Sequence, residues 1–310
     1  MIYQVRHLTA YSYDSPVASA QLALRVTPRD EAGQSCIMHC LDVSPLPETV
    51  LSEQDFYGNV VNIVTIETPH TALRIESTAR VDVSRAAAPT TPGPEWENVA
   101  EAALADRDIS RSAPAHFMFP SPQVALSPDI TQYTRQSFRR GRGIFDACRE
   151  LIVRIRRDFA YEKESTEIAT PLAQVFAERR GVCQDFAHIM IAGLRGIGLP
   201  AAYVSGYIRT IPLQGDERLE GADATHAWVS AWCGTATGWL GFDPTNAIAA
   251  RNDHIALAVG RDYSDVSPVY GFFVGSGANK LEVEVEVSPI PEIPAAPAAP
   301  AETAAAKSLR

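Results

Sequence analysis

Along this chain the spacing of hydrophobic positions changes part-way. Residues 1 to about 85 favour an alternation of period two. Ile2 to Tyr13 alternates loosely, and Leu22 to Val26, Cys36 to Val43, Asn59 to Ile66 and Ala72 to Val83 follow as short β-type runs. Turn residues separate them at Asp14-Ser15-Pro16, Pro28-Arg29-Asp30, Tyr57-Gly58-Asn59 and Thr68-Pro69-His70. Such spacing predicts an antiparallel, sandwich-like domain over 1–88. The stretch 89–125 reads as a linker with one short helical piece, because prolines and small residues crowd its start, Ala86 to Pro94. From 126 the period becomes helical. Ser127 and Pro128 suit an N-cap and first helical position, followed by Ile130, Tyr133 and Phe138 on one side. Phe145, Cys148, Leu151, Ile152 and Ile155 form the stripe of a second helix from about Ile144 to Arg157, and Pro171 opens a short one over Leu172–Glu178. Cys148, inside that stripe, is expected to be a packed core thiol.

The most informative stretch is Arg179-Arg180-Gly181-Val182-Cys183-Gln184-Asp185-Phe186-Ala187-His188. From Cys183 the apolar positions Phe186, Ala187, Met190, Ile191 and Leu194 keep helical spacing, so Cys183 starts a helix with its side chain on the inward stripe. A thiol there meets unpaired backbone N–H groups and the positive end of the helix dipole, which favour a thiolate. Gly196, Gly198 and Pro200 stop the helix, and Ala201 to Ile208 reads as a strand in which Gly206 signals a bulge or close backbone approach. Asp223 to Trp232 reads as a strand with His226 near its start, and Trp239 to Asp243 as another ending before Pro244-Thr245-Asn246. A cysteine, a histidine and an aspartate, each at the end of an element, have the layout of a nucleophile, its base and the carboxylate that fixes the imidazole.

Composition narrows the setting. The 310-residue chain is 46% hydrophobic with net charge −10, enough for two cores and without a basic run. Nucleic acid and anionic membranes are therefore not expected partners. No apolar run approaches membrane-spanning length, the N-terminus lacks a signal-peptide pattern, and five irregularly spaced cysteines do not form a disulfide framework. A cytoplasmic protein is expected. Leu281 to Val287 alternates as a last strand with valines inward and glutamates to solvent, and the Pro/Ala-rich 289–310 reads as a disordered tail.

Gly181-Val-Cys183-Gln-Asp185-Phe-Ala187, Leu194-Arg-Gly-Ile-Gly-Leu-Pro200, Tyr203-Val-Ser-Gly-Tyr207, Thr225-His226-Ala-Trp228 and Gly241-Phe-Asp243-Pro-Thr-Asn246, in this order, resemble the transglutaminase-like superfamily. Tyr11-Ser-Tyr13-Asp14 with Pro16, and Asp55-Phe-Tyr57-Gly-Asn59, resemble the N-terminal β region of its bacterial cysteine peptidases. The resemblance implies an α+β fold, with an N-terminal antiparallel β domain before a papain-like core over 126–288 in which the cysteine helix packs on an antiparallel sheet. It further implies a Cys183-His226-Asp243 triad that hydrolyses peptide or protein amides through a thioester, with acyl transfer to amines as the close variant and an idle interaction module as the alternative.

The neighbouring residues carry plainer readings. Gln184, His188 and Arg195 lie opposite the apolar stripe, His188 roughly 140° from Cys183, so His188 is expected at the surface or between domains. Asp185, in the first turn, stabilises the helix without joining the triad. Trp228, Trp232 and Trp239 are expected as core aromatics, and Arg179 and Arg180 as a solvated face. Cys36, His39 and Cys40 are expected as buried side chains, since in a strand His39 points away from the two cysteines. Zinc on Cys183, His226, Cys233 and Asp243 is disfavoured because His226 and Cys233, seven apart, face opposite ways. No calcium loop is found, and no cofactor is expected. Specificity is assigned to 209–224, to 247–275 and to a groove against the β domain.

Overall fold

The computed structural model describes residues 1–163, 165–166, 170–212, 219–222 and 224–290. Strands β1 (Ile2–Val17), β2 (Ser19–Leu24), β3 (Gln34–Ser44), β4 (Thr49–Gln54), β5 (Val60–Ile66) and β6 (His70–Val83) occupy the first part of the chain. Helices α1 (Trp96–Ala105), α2 (Pro128–Arg135) and α3 (Ile144–Asp158) follow. A short parallel pair, β7 (Ala160–Tyr161) and β8 (Arg180–Gly181), flanks α4 (Leu172–Glu178) and leads into α5 (Cys183–Gly196). Next come β9 (Ala201–Ile208), β10 (His226–Trp232), β11 (Trp239–Asp243), β12 (Ile248–Ala249) and β13 (His254–Gly260), then β14 (Val269–Val274) and β15 (Asn279–Pro289). The α+β class expected from sequence is the one observed, with antiparallel pairing in the three larger sheets.

The N-terminal sandwich has two four-stranded sheets, ordered β15-β1-β6-β3 and β14-β2-β5-β4. Leu73 and Ile75 of the first sheet pack with Leu22, Leu24, Val64 and Ile66 of the second, as alternating strand residues facing one another should. Each sheet is completed by a strand from the far end of the chain, since β15 pairs with β1 from Tyr3↔Pro289 to Tyr13↔Asn279 and β14 pairs with β2. The sequence boundary that assigns everything to residue 288 to the core is corrected here: 269–289 belongs to the sandwich. Only Val285 and Val287 of β15 turn inward, while Leu281 and Val283 stay exposed. The stretch read as a linker is likewise folded, with Val99, Ala103, Met118 and Val124 buried in the main core. β3 is a sheet edge, so Cys40 is exposed and Cys36 only half-buried rather than both buried, and His39 bonds Ser77 Oγ at 3.0 Å. The tail expectation for 291–310 lies outside the described residues.

The central sheet is ordered β12-β11-β10-β9-β13. The free edge of β13 is covered by two buried amides of the sandwich. Gln34 donates to Ala256 O and accepts from Ala256 N–H, both at 2.8 Å, and Asn59 does the same at Val259, at 2.9 and 2.8 Å. A side-chain amide thus completes each strand-like pair, satisfying polar groups that would otherwise be buried unpaired. Tyr3, Val5, Val81 and Val287 pack below against Tyr207, Ile255 and Leu257, so the sandwich and the core share an apolar interface.

Helix α5 lies between this sheet and α2, α3 and α4, and every residue from Asp185 to Arg195 is buried. Each fully buried Leu, Ile, Met or Phe along it contributes roughly 1.5–3 kcal/mol relative to exposure. Close approach to α2 depends on Gly193, where an added Cβ would lie 2.0 Å from Thr134 Oγ1. The expectation that His188 and Arg195 lie on a face opposite the core, with His188 at the surface or between domains, is corrected: a helix enclosed on all sides has no outer face. His188 is buried and accepts from Tyr263 N–H at 3.3 Å, and burial lowers its pKa to about 4. Arg195 donates to the carbonyls of Phe117, Phe119, Ala201 and Arg261, tying three segments to the end of the helix.

Candidate active site

The candidate nucleophile is fixed by its helix start. Val182 is the N-cap of α5, in extended conformation, and its N–H donates at 2.9 Å to Oδ2 of Asp185, which also accepts from Thr166 Oγ1 at 2.7 Å. Asp185 is therefore a buried cap, as its first-turn position indicated, and burial raises its pKa while these two bonds lower it. Cys183, the first helical residue, is half-buried, with its backbone N–H among those left free at a helix start. Tyr203 of β9 lies near the thiol; burial first, then the nearby Cys183, holds its hydroxyl protonated. Arg179 does not point to solvent as expected: its guanidinium lies over the rings of Phe176 and Phe159, at 4.1 and 4.6 Å from their centroids. Arg180 is exposed and pairs with Glu178.

The sheet delivers the other two groups. His226 is the first residue of β10 and Asp243 the last of the adjacent β11, both fully buried. His226 Nε2 donates to Asp243 Oδ2 at 2.9 Å. Its Nδ1 is buried with no hydrogen-bond partner among the described residues, and Cys183 lies near enough to help raise the ring's pKa. Burial alone would lower the His226 pKa, but the Asp243 charge and hydrogen bond, with Cys183 adding to them, raise it to about 10. Space at Nδ1 is kept by Gly221, at φ +82°, where a Cβ would come within 2.6 Å of that nitrogen. Beside Gly221, Glu220 N–H donates to Asn246 Oδ1 at 2.9 Å, so the described end of the 209–224 loop borders the site; 213–218 and 223 lie outside the described residues.

Asp243 accepts five hydrogen bonds. Oδ1 takes the N–H groups of Thr245 and Asn246 at 2.9 and 3.2 Å, and Oδ2 takes His226, Asn246 Nδ2 at 2.8 Å and His254 Nε2 at 3.1 Å. Burial pushes this carboxyl up, but the two histidines and the other donors outweigh it and hold the pKa far below the usual carboxylate range. His254, which opens β13, is the residue that sequence reasoning missed. Arg251 N–H donates to its Nδ1 at 3.3 Å, which leaves the proton on Nε2 for Asp243, and burial lowers its pKa. A neutral His254 thus braces the same carboxylate oxygen that His226 bonds.

His226, Asp243 and His254 bring three potential metal-ligand atoms within 4.8 Å of one another. Both Nε2 atoms are already spent on the carboxylate, so the cluster is satisfied as a hydrogen-bonded one. Cys233, a zinc candidate on paper, lies buried after β10 with its thiol on Ala231 O at 3.4 Å, and burial raises its pKa to about 12. Of the tryptophans near the site, Trp232 is buried in the core, Trp239 is half-exposed and Trp228 stands edge-on to His254 at 5.1 Å.

Comparison with known proteins settles the family. The bacterial transglutaminase-like N-terminal region matches residues 3–82, and the transglutaminase-like superfamily core matches 130–244. The chain belongs to the transglutaminase-like superfamily. Uncharacterized proteins of Mycobacterium tuberculosis and Mycobacterium bovis are 37% identical over 93% of this chain and 92% of their own length. One from Mycobacterium leprae is 30% identical over 92% of this chain and 98% of its own. A crystal structure of a "putative cysteine protease" from Cytophaga hutchinsonii superposes with TM-score 0.73 at 22% identity, covering 93% of this chain and 90% of that one, and shows the same fold. In this transglutaminase-like chain Cys183, His226 and Asp243 all fall within the region matched by the core.

Proposed function

We propose that this protein is a cysteine-dependent hydrolase of amide or peptide bonds, acting through a thioester on Cys183. The observation that carries the reading is the buried His226–Asp243 pair at 2.9 Å near the Cys183 thiol at the start of α5. With its pKa raised to about 10, His226 rests as imidazolium at neutral pH next to Cys183, whose place at a helix start favours attack as the thiolate. The thiolate attacks the substrate carbonyl, forming the Sγ–C bond. The resulting oxyanion is met by Cys183 N–H, with the Tyr203 hydroxyl as second donor. Collapse breaks the C–N bond as His226 gives its Nδ1 proton to the departing amine, leaving the acyl group on sulfur. Water then attacks the thioester, His226 takes up its proton, and the acid departs as the thiolate–imidazolium pair is restored. Asp243 keeps the imidazole oriented and its charge balanced throughout, and His254 is a positioning residue acting through Asp243.

The test is intact-protein mass spectrometry of wild type and Cys183→Ala with a pool of peptide and glutamine-amide donors, with and without a primary amine. The expected result is an acyl adduct or turnover only in wild type, with the free acid as product. Incorporation of the amine in place of water would assign a transferase instead. Absence of adduct and turnover in both proteins would overturn the enzyme reading and leave an interaction module.

A further inference from the structure

A cavity of about 1160 Å³ lies between the sandwich and the core without touching Cys183, His226 or Asp243. It is somewhat larger than most small-molecule pockets, which run on the order of 300–1,000 Å³. Its floor is the face of the central sheet turned away from α5. Ala202, Val204, Trp228 and Ser230 line it, whereas the alternate residues Ala201, Tyr203, Ala227 and Val229 pack in the core with α5. Phe117, Phe145 and Trp239 extend the apolar wall.

The opposite wall is cationic. Arg29 and Arg85 both pair with Glu31, at 3.2 and 2.8 Å, and Arg29 feels the charge of the neighbouring Arg111. Arg251 adjoins Arg85, each donating to the other's backbone carbonyl. Glu31 is the single acidic residue lining the cavity among the described residues, against these four arginines and Arg149. Arg111 and Arg251 have no carboxylate partner among the described residues, and Arg251 Nε is buried without a hydrogen bond, whereas Arg29 is held by Glu31 through Nε and donates to Asn59 Oδ1 at 2.7 Å. A cluster of guanidinium groups with unspent donors, facing an aromatic and aliphatic floor in a chain of net charge −10, is built to receive an anion carried on an apolar body.

We infer that this interdomain cavity binds an anionic amphiphile, its carboxylate or phosphate head on Arg111 and Arg251 and its apolar body over Trp228 and Val204. The site is separate from the thiol and does not depend on the proposed hydrolysis. It is tested with the full-length protein by calorimetric titration and by tryptophan fluorescence, using dodecanoate, dodecyl phosphate and the neutral dodecanol below their aggregation limits. Saturable one-to-one binding of an anion is expected, with dodecanol at least about tenfold weaker, since the head group supplies the charge-assisted bonds. The preference between carboxylate and phosphate identifies the head. Arg111→Gln, at an exposed position, and Arg251→Gln should each weaken the anion several-fold and leave dodecanol unchanged, with unaltered melting temperatures as the folding control. Cys183→Ala should bind as wild type does. Equal affinity for dodecanol and the anions, anion binding unaffected by both arginine changes, or no saturable binding would overturn the inference.

Discussion

Replacing Asp243 with Asn removes one charge and almost no volume, so its effect is set by hydrogen-bond valence. The carboxylate accepts from three side-chain donors on Oδ2 and two backbone N–H groups on Oδ1. An asparagine has one acceptor oxygen. Turned to keep His226, His254 and Asn246 Nδ2, it points its own N–H₂ at the Thr245 and Asn246 N–H groups; turned the other way, it confronts three donors. The better orientation strands two buried donors at about 1–3 kcal/mol each and leaves His226 without its counter-charge, so Asp243→Asn should destabilise by about 3–5 kcal/mol. For a chain of this size that lowers the melting temperature by about 5–8 °C. The chemical consequence is larger. Without the carboxylate, burial dominates at His226, its pKa falls below the ordinary histidine value and the ring is neutral at pH 7, so the thiolate loses its partner. By analogy with the serine-protease triad, the loss in kcat is on the order of 10⁴. The assays are thermal melting and the iodoacetamide rate at pH 6. A variant that melts within a degree of wild type and labels at the wild-type rate would refute the reasoning.

Three further outcomes follow from the same geometry. His254→Leu removes a donor from Asp243 and strands Arg251 N–H; kcat should fall about tenfold and the alkaline limb of the pH profile should move, while His254→Gln, which keeps a donor near Nε2, should restore most of both. In wild type, activity should be lost on the alkaline side through about pH 10, because the His226 pKa is raised above its unfolded value; the ion-pair contribution to stability is fully present below about pH 6.5 and disappears over the same rise, which pH-dependent melting checks. Gly193→Ala should cost about 1–3 kcal/mol by forcing α5 from Thr134, measured by chemical denaturation, and Thr134→Ser should not relieve it because Oγ1 remains.

Much of this was legible in the sequence because Cys183, His226 and Asp243 each sit at the end of an element, and strand or helix spacing marks such ends locally. The helix over Leu172–Glu178 is found at the predicted bounds, because Pro171 and the αL conformation of Arg179 define it from within. What was not legible depends on pairing across the chain. β15 joins β1 across more than 260 residues, and no local signal distinguishes a last strand of the core from a returning strand of the sandwich. His254 is close to Asp243 in sequence, but it reaches the carboxylate from β13, which is not beside β11 in the sheet, so strand order rather than sequence distance hid it. His188 and Arg195 were misplaced by a two-faced reading of α5; the unbroken apolar run Ile189 to Ala192 between them was the available sign of a helix buried all round.

The central claim of the proposal is that Cys183 is the nucleophile activated by His226, and site-resolved alkylation tests this directly. Wild type, treated briefly with iodoacetamide at pH 6 and digested, should carry the label on Cys183 far ahead of the exposed Cys40 and the half-buried Cys36. Cys148 and Cys233, whose thiols burial keeps protonated, should remain unmodified. Labelling of Cys183 no faster than Cys40, or a rate unchanged in His226→Ala, would contradict the account.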